Sequence, residues 1–217
     1  MRFLGIWIDD TLSFSGHIQK LKAKLNSGLY ALSTCNKIVP LQIRKTIYQS
    51  LIESHLRFSS LICGAANPKL LESIHVLQRK AVRNVARASY NAHTDILFKS
   101  YTFLKYDDLG QLSQCIFMRL YSNKQLPSSF SNMFKHLPLC EQIIRDHDYN
   151  FRPKIVNYSF LKFYPIVQMI RAWNCSNLVV KSEAEVQTMK DSIISKCLSK
   201  YENECVKENC YVCNQHL

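Results

Sequence analysis

Arg79, Arg83 and Arg87 recur at intervals of four residues, the spacing that places side chains on one side of an α-helix. On such a helix they extend over about 12 Å of the axis. The apolar positions nearby, Leu70, Ile74, Leu77, Ala81 and Val85, fall on a different face, so the arginines are expected to point outward. Like charges at this spacing repel, and a bound anion would relieve the repulsion. Lys20 and Lys24 form a similar pair on an earlier helix, and Lys80 adds a cation beside Arg79. The chemistry on offer is contact with phosphates along a nucleic-acid duplex, which confers affinity with little sequence information. An ordinary solvated helix face has the same pattern.

The distribution of charge bears on that choice. Residues 17–105 hold nine Lys and five Arg against Glu53, Glu72 and Asp95, a net +11 out of the +12 carried by all 217 residues. Such concentration favours a polyanionic partner over a merely soluble basic surface. No apolar run approaches the roughly 18–20 residues needed to span a bilayer, so no membrane is expected. Two aspartates directly follow the first short apolar stretch, which does not fit a secretory signal. The nine cysteines are therefore expected as reduced thiols in the nucleus or cytoplasm, with metal ligation where they cluster.

One such cluster is Cys205-x4-Cys210-x2-Cys213-x2-His216. Three thiols and an imidazole suffice for tetrahedral zinc, although the gap to His216 is tight; a cysteine-rich chain end is the alternative. Asp9 and Asp10 invite comparison with the paired carboxylates that hold two magnesium ions in polymerases. That chemistry needs a further carboxylate from a separate strand, and no acidic residue follows until Glu53. A turn is the expected role of the pair. Five glycines in the whole chain leave no phosphate-cradling loop, and the histidines match no nucleophile pattern, so no catalytic residue is assigned.

The elements that would carry these residues are mostly helical. Phe3 to Ile8 is β-prone and closed by Asp9-Asp10-Thr11, which predicts a short hairpin. Ser15 then caps a helix with Ile18, Leu21, Leu25, Leu29 and Leu32 at helical spacing. Pro40 breaks it, and a second helix is predicted with Ile43, Ile47 and Leu51 on its buried side and Ile52 as a further candidate there. Asn67-Pro68 opens the arginine-bearing helix, and further starts fall at Thr94 and at Asp107 or Asp108. After Pro127 the pattern weakens. Pro165 to Trp173 reads as a short helix, and Ser182 with Glu185 forms a capping box ahead of another. The predicted organisation is a hairpin over 1–16, a basic helical bundle over 17–134, a linker over 135–160 and a smaller, irregular to helical C-terminal region over 161–217.

Phe3-Leu4-Gly5-Ile6-Trp7-Ile8-Asp9, followed by Leu12-Ser13-Phe14-Ser15-Gly16-His17-Ile18, resembles the stretch just after the palm in LINE-type, jockey-like reverse transcriptases. Gln78-Arg79-Lys80-Ala81-Val82-Arg83 and His93-Thr94-Asp95-Ile96-Leu97-Phe98 resemble later landmarks of the same family. So do Asp108-Leu109 with Phe117-Met118, Tyr149-Asn150-Phe151-Arg152 and Trp173-Asn174, all in the family's order. The resemblance implies that Phe3, Leu4 and Gly5 belong to a primer grip and that residues 17–134 form a thumb cradling a template–primer duplex. It implies RNA-directed DNA synthesis, with magnesium, for the parent polymerase. The family's catalytic Ala-Asp-Asp strand would lie upstream of Phe3 and is absent, so this sequence alone is expected to be inactive, with Met1 an internal methionine of a longer element. A non-enzymatic basic helical nucleic-acid-binding protein, as a domesticated or decayed remnant, would share the same thumb chemistry. A protein–protein scaffold with acidic partners is the third expectation.

Overall fold

The computed structural model describes residues 1–3, 5–11, 13–63, 66, 68–135, 151, 165–176 and 185–201. The fold is mostly α. The chain opens with an antiparallel hairpin of β1 (Arg2–Phe3) and β2 (Ile6–Trp7), in which Arg2 pairs with Trp7 and Phe3 with Ile6. Gly5 takes φ +86° in its turn, a conformation that glycine adopts without a Cβ clash. Asp9 then ties the chain to the next helix. Its carboxylate accepts the Phe14 amide at 3.0 Å and the Ser13 hydroxyl, the turn role expected of it. These bonds hold its pKa below the usual range, the Ser13 hydroxyl foremost.

Eight helices follow among the described residues: α1 (Ser15–Cys35), α2 (Leu41–Tyr48), α3 (Ser54–Cys63), α4 (Pro68–Ala86), α5 (Thr94–Ser100), α6 (Tyr106–Ser122), α7 (Pro165–Asn174) and α8 (Val186–Ser199). A stretch of π-helix, Gln49–Glu53, joins α2 to α3 without a break. The starts at Pro68 and Thr94 are those expected from the sequence, Ser15 is the first residue of α1 while Phe14 holds the cap position expected of it, and α6 begins one residue before Asp107. The chain divides into two compact units, Met1–Leu109 with Cys197–Leu217, and Gly110–Lys196. The division falls inside α6, where an uninterrupted helical repeat gives no sign of a boundary, and the hairpin packs on α1. Most of the expected linker lies outside the described residues.

In the first unit α1 and α4 pack side by side. Ile18, Leu21, Leu25 and Leu32 of α1 and Ile74, Ala81, Val82 and Val85 of α4 are buried in the shared core. Gly28 faces the π-helical stretch, where a Cβ would lie 3.0 Å from the Leu51 carbonyl oxygen. The second helix corrects the expected register. Ile43 and Leu51 are exposed, Ile52 is buried as anticipated, and the buried line runs through Arg44, Tyr48, Ile52 and Leu56. Tyr48 decides this: its ring stacks on Phe103 at 4.3 Å and its hydroxyl accepts a bond from buried Gln78. Gln78 also donates to the Leu104 carbonyl at 2.9 Å and accepts the Tyr106 amide at 2.9 Å. One side chain thus ties α2, α4 and the entry to α6.

The second unit is built on aromatic rings. Phe117, Tyr121, Phe134, Phe151 and Trp173 form a chain of ring contacts at centroid distances of 4.8 to 6.4 Å. Asn174 holds both backbone groups of Phe151, at 2.9 and 3.1 Å. Phe117, Phe151 and Trp173-Asn174 were separate landmarks in the sequence, and they meet here through packing.

Candidate nucleic-acid interface

The three arginines do not form the open stripe that their spacing suggests. Arg79 is half-buried and pairs with Glu72 at 2.6 Å. Arg83 donates from Nε to the Ala92 carbonyl at 2.9 Å, and burial holds its pKa below the ordinary value. Arg87 lies beyond the end of α4, at φ +55°. Its guanidinium donates to the Asn36 carbonyl at 2.6 and 3.0 Å and to the Val39 carbonyl at 3.2 Å. These carbonyls follow α1, so Arg87 neutralises the negative end of that helix. The helix stops one residue short of Arg87, and local acceptors hold all three guanidinium groups, a carboxylate at Arg79 and backbone carbonyls at Arg83 and at exposed Arg87. Lys80 is half-buried on α4.

The pair Lys20 and Lys24 has a different setting. Both are exposed, and both line a groove of about 490 Å³ between the hairpin, α1 and α3. His17, Lys20, Leu21 and Lys24 come to it from one face of α1, with spacings of three and four. His55, Phe58 and Ser59 come from one face of α3 by the same rule, and Arg2, Gly5 and Trp7 from the hairpin. No carboxylate is among these lining residues. The Lys20 ammonium sits 3.5 Å from the centroid of the Trp7 ring, a cation–π contact that fixes both groups at the groove wall. Phe58 is 57% exposed beside them. Burial, and after it the charge of Lys24, holds His17 and His55 below the ordinary histidine pKa.

A second cleft, of about 260 Å³, shows the contrast. His75, Gln78, Arg79, Asp95, Lys105 and Asp107 line it. Its charges cancel locally: Lys105 pairs with Asp95 at 2.7 Å, Arg79 with Glu72, and His75 lies 3.3 Å from Asp107. Such a cleft offers an anion little net field. The groove, with three cations and no counter-charge on its walls, offers a strong one.

Of the residues expected at a primer grip, Gly5 lines the groove, Phe3 lies in β1, and Leu4 lies outside the described residues. The proposed zinc ligands Cys205, Cys210, Cys213 and His216 also lie outside them. Among the described residues no three His, Cys, Asp or Glu side chains gather as a metal would require. No helix among them is long and apolar enough to cross a membrane. Sequence reasoning missed Trp7, His55 and Phe58 as partners of the lysines, because nothing local announces that three elements converge. Comparisons with family models, curated proteins and solved structures find no match to this chain.

Proposed function

We propose that this chain is the thumb-side part of a LINE-type reverse transcriptase and that its groove holds the backbone of a template–primer duplex. The observation that carries the binding surface is the groove itself: Arg2, Lys20 and Lys24 without a carboxylate, beside Trp7 and exposed Phe58. Cations positioned in this way contact phosphates, and an exposed aromatic face such as that of Phe58 takes up an unpaired base at a strand end. The groove abuts the hairpin that resembles a primer grip, which joins the two lines of reasoning. Magnesium would belong to a palm outside this sequence. The chain contributes binding and positioning and no chemical step of its own. Ultraviolet crosslinking of the full chain to a primed duplex containing a photoreactive uridine, followed by peptide mapping, tests the surface. Adducts are expected between Arg2 and Lys24 or at His55 to Phe58. Adducts confined to other segments would overturn the assignment.

A further inference from the structure

His17 lies in the first turn of α1, where the hairpin and α3 come together. It is 7% exposed, and its imidazole lines the groove. The Trp7 amide donates to its Nδ1 at 3.3 Å. An amide N–H bonds only to an unprotonated ring nitrogen, so the neutral ring carries its hydrogen on Nε2. That Nε2–H is buried and has no hydrogen-bond partner among the described residues. Buried donors in folded proteins have acceptors, because leaving one without costs far more than the bond itself contributes.

Among the described residues the walls of the groove do not supply that acceptor. Arg2, Lys20 and Lys24 only donate, and the Ser59 hydroxyl and the His55 ring, which can accept, make no bond to His17 Nε2. The first turn of α1 contains no acidic residue. An oxygen from a ligand is what fits, and the surrounding cations select an anionic one.

We propose that His17 Nε2–H, with Lys20 and Lys24 on the same helix face, seats a single phosphoryl oxygen at the base of the groove. Only the identity of the carrier, a phosphodiester of a bound strand, rests on the function proposed above. Cations alone give attraction that slides along a backbone; a fixed neutral donor marks one phosphate and sets the register. The neutral state is built in, since protonating Nδ1 would set two N–H groups against each other and break the link to Trp7.

The seat has a signature that a general basic surface lacks. His17→Asn keeps an acceptor near Nδ1 for the Trp7 amide and deletes the Nε2 donor. Loss of one hydrogen bond to a charged oxygen should weaken duplex binding about tenfold. Because no counterion is released by a neutral donor, the loss should be the same at every salt concentration, with the slope of log K against log salt unchanged. Lys24→Ala should instead flatten that slope by about 0.9. The wild-type chain provides an independent readout. With histidine side chains labelled with nitrogen-15, His17 should show the Nε2–H tautomer, and its Nε2 resonance should move on titration with inorganic phosphate. Equal affinity of wild type and His17→Asn for both duplex and inorganic phosphate would overturn the seat while leaving the basic groove to be judged by its salt slope. So would a His17 found with its hydrogen on Nδ1. A phosphate-dependent shift at His17 in a protein that binds no duplex would uphold the seat, assign it to a free phosphate monoester, and overturn the nucleic-acid function.

Discussion

Replacing Gln78 by Leu should be among the most damaging single changes in the first unit. Gln78 is 2% exposed and makes three hydrogen bonds, to the Tyr48 hydroxyl at 3.2 Å, the Leu104 carbonyl at 2.9 Å and the Tyr106 amide at 2.9 Å. Leu fills a similar volume, so the cavity contribution is small and the polar loss dominates. Three buried groups lose their partner, and each costs about 1–3 kcal/mol. Some relaxation of the Tyr48 hydroxyl reduces the sum to roughly 3–5 kcal/mol, a large share of the 5–15 kcal/mol typical of a domain. The assay is urea denaturation followed by far-ultraviolet circular dichroism, with the change taken from the midpoint at constant m-value. Gln78→Glu adds a check, because a carboxylate accepts the Tyr106 amide but has no hydrogen for Leu104. It should be at least as harmful near neutral pH. A loss below about 1 kcal/mol for Gln78→Leu would refute the claim that this side chain ties α2, α4 and the start of α6.

Arg87→Ala should lower stability by about 1 kcal/mol, the worth of a cation at a helix C-terminus, while leaving the salt dependence of nucleic-acid binding unchanged; a flattened slope would return Arg87 to the interface. Stability should also fall as pH drops below about 6.5. The folded chain holds His17 and His55 below their ordinary pKa, so the unfolded state binds more protons in that window and stability is complete only above it. Melting temperatures at pH 7.5 and 5.5 check this, and His17→Asn should shrink the difference between them. The tail should bind about one zinc per chain after purification without chelator, and Cys210→Ser with Cys213→Ser should abolish it; equal metal content in both proteins would remove zinc from the account.

The helices were legible because their apolar residues repeat at three and four and because Pro40 and Pro68 punctuate them. The register of α2 was not. Ile43, Ile47 and Leu51 look like a buried face, yet burying Tyr48 against Phe103 and Gln78 turns the helix by one residue, a tertiary demand with no local trace. Lys20 and Lys24 were legible as a pair since one helix face carries both. Their partners Trp7, His55 and Phe58 come from other elements, and a single sequence does not show which elements meet. Arg87 misled for a simple reason: spacing of four continues past the last helical residue, and an arginine at φ +55° takes the place where glycine would have signalled the stop. The burial of His17 was equally hidden, because a histidine three residues before a lysine reads as surface until the hairpin covers it.

The most direct test compares two triple variants in a salt titration of duplex binding, read by fluorescence anisotropy from low to moderate ionic strength. Arg2, Lys20 and Lys24 changed together to Ala should flatten the plot of log K against log salt by about 2.7, at about 0.9 for each phosphate contact. Arg79, Arg83 and Arg87 changed together should lower stability and leave the slope near that of wild type, because their guanidinium donors are already engaged within the fold. The reverse result, a wild-type slope in the groove variant and a flattened one in the arginine variant, would contradict the assignment of the groove as the nucleic-acid surface.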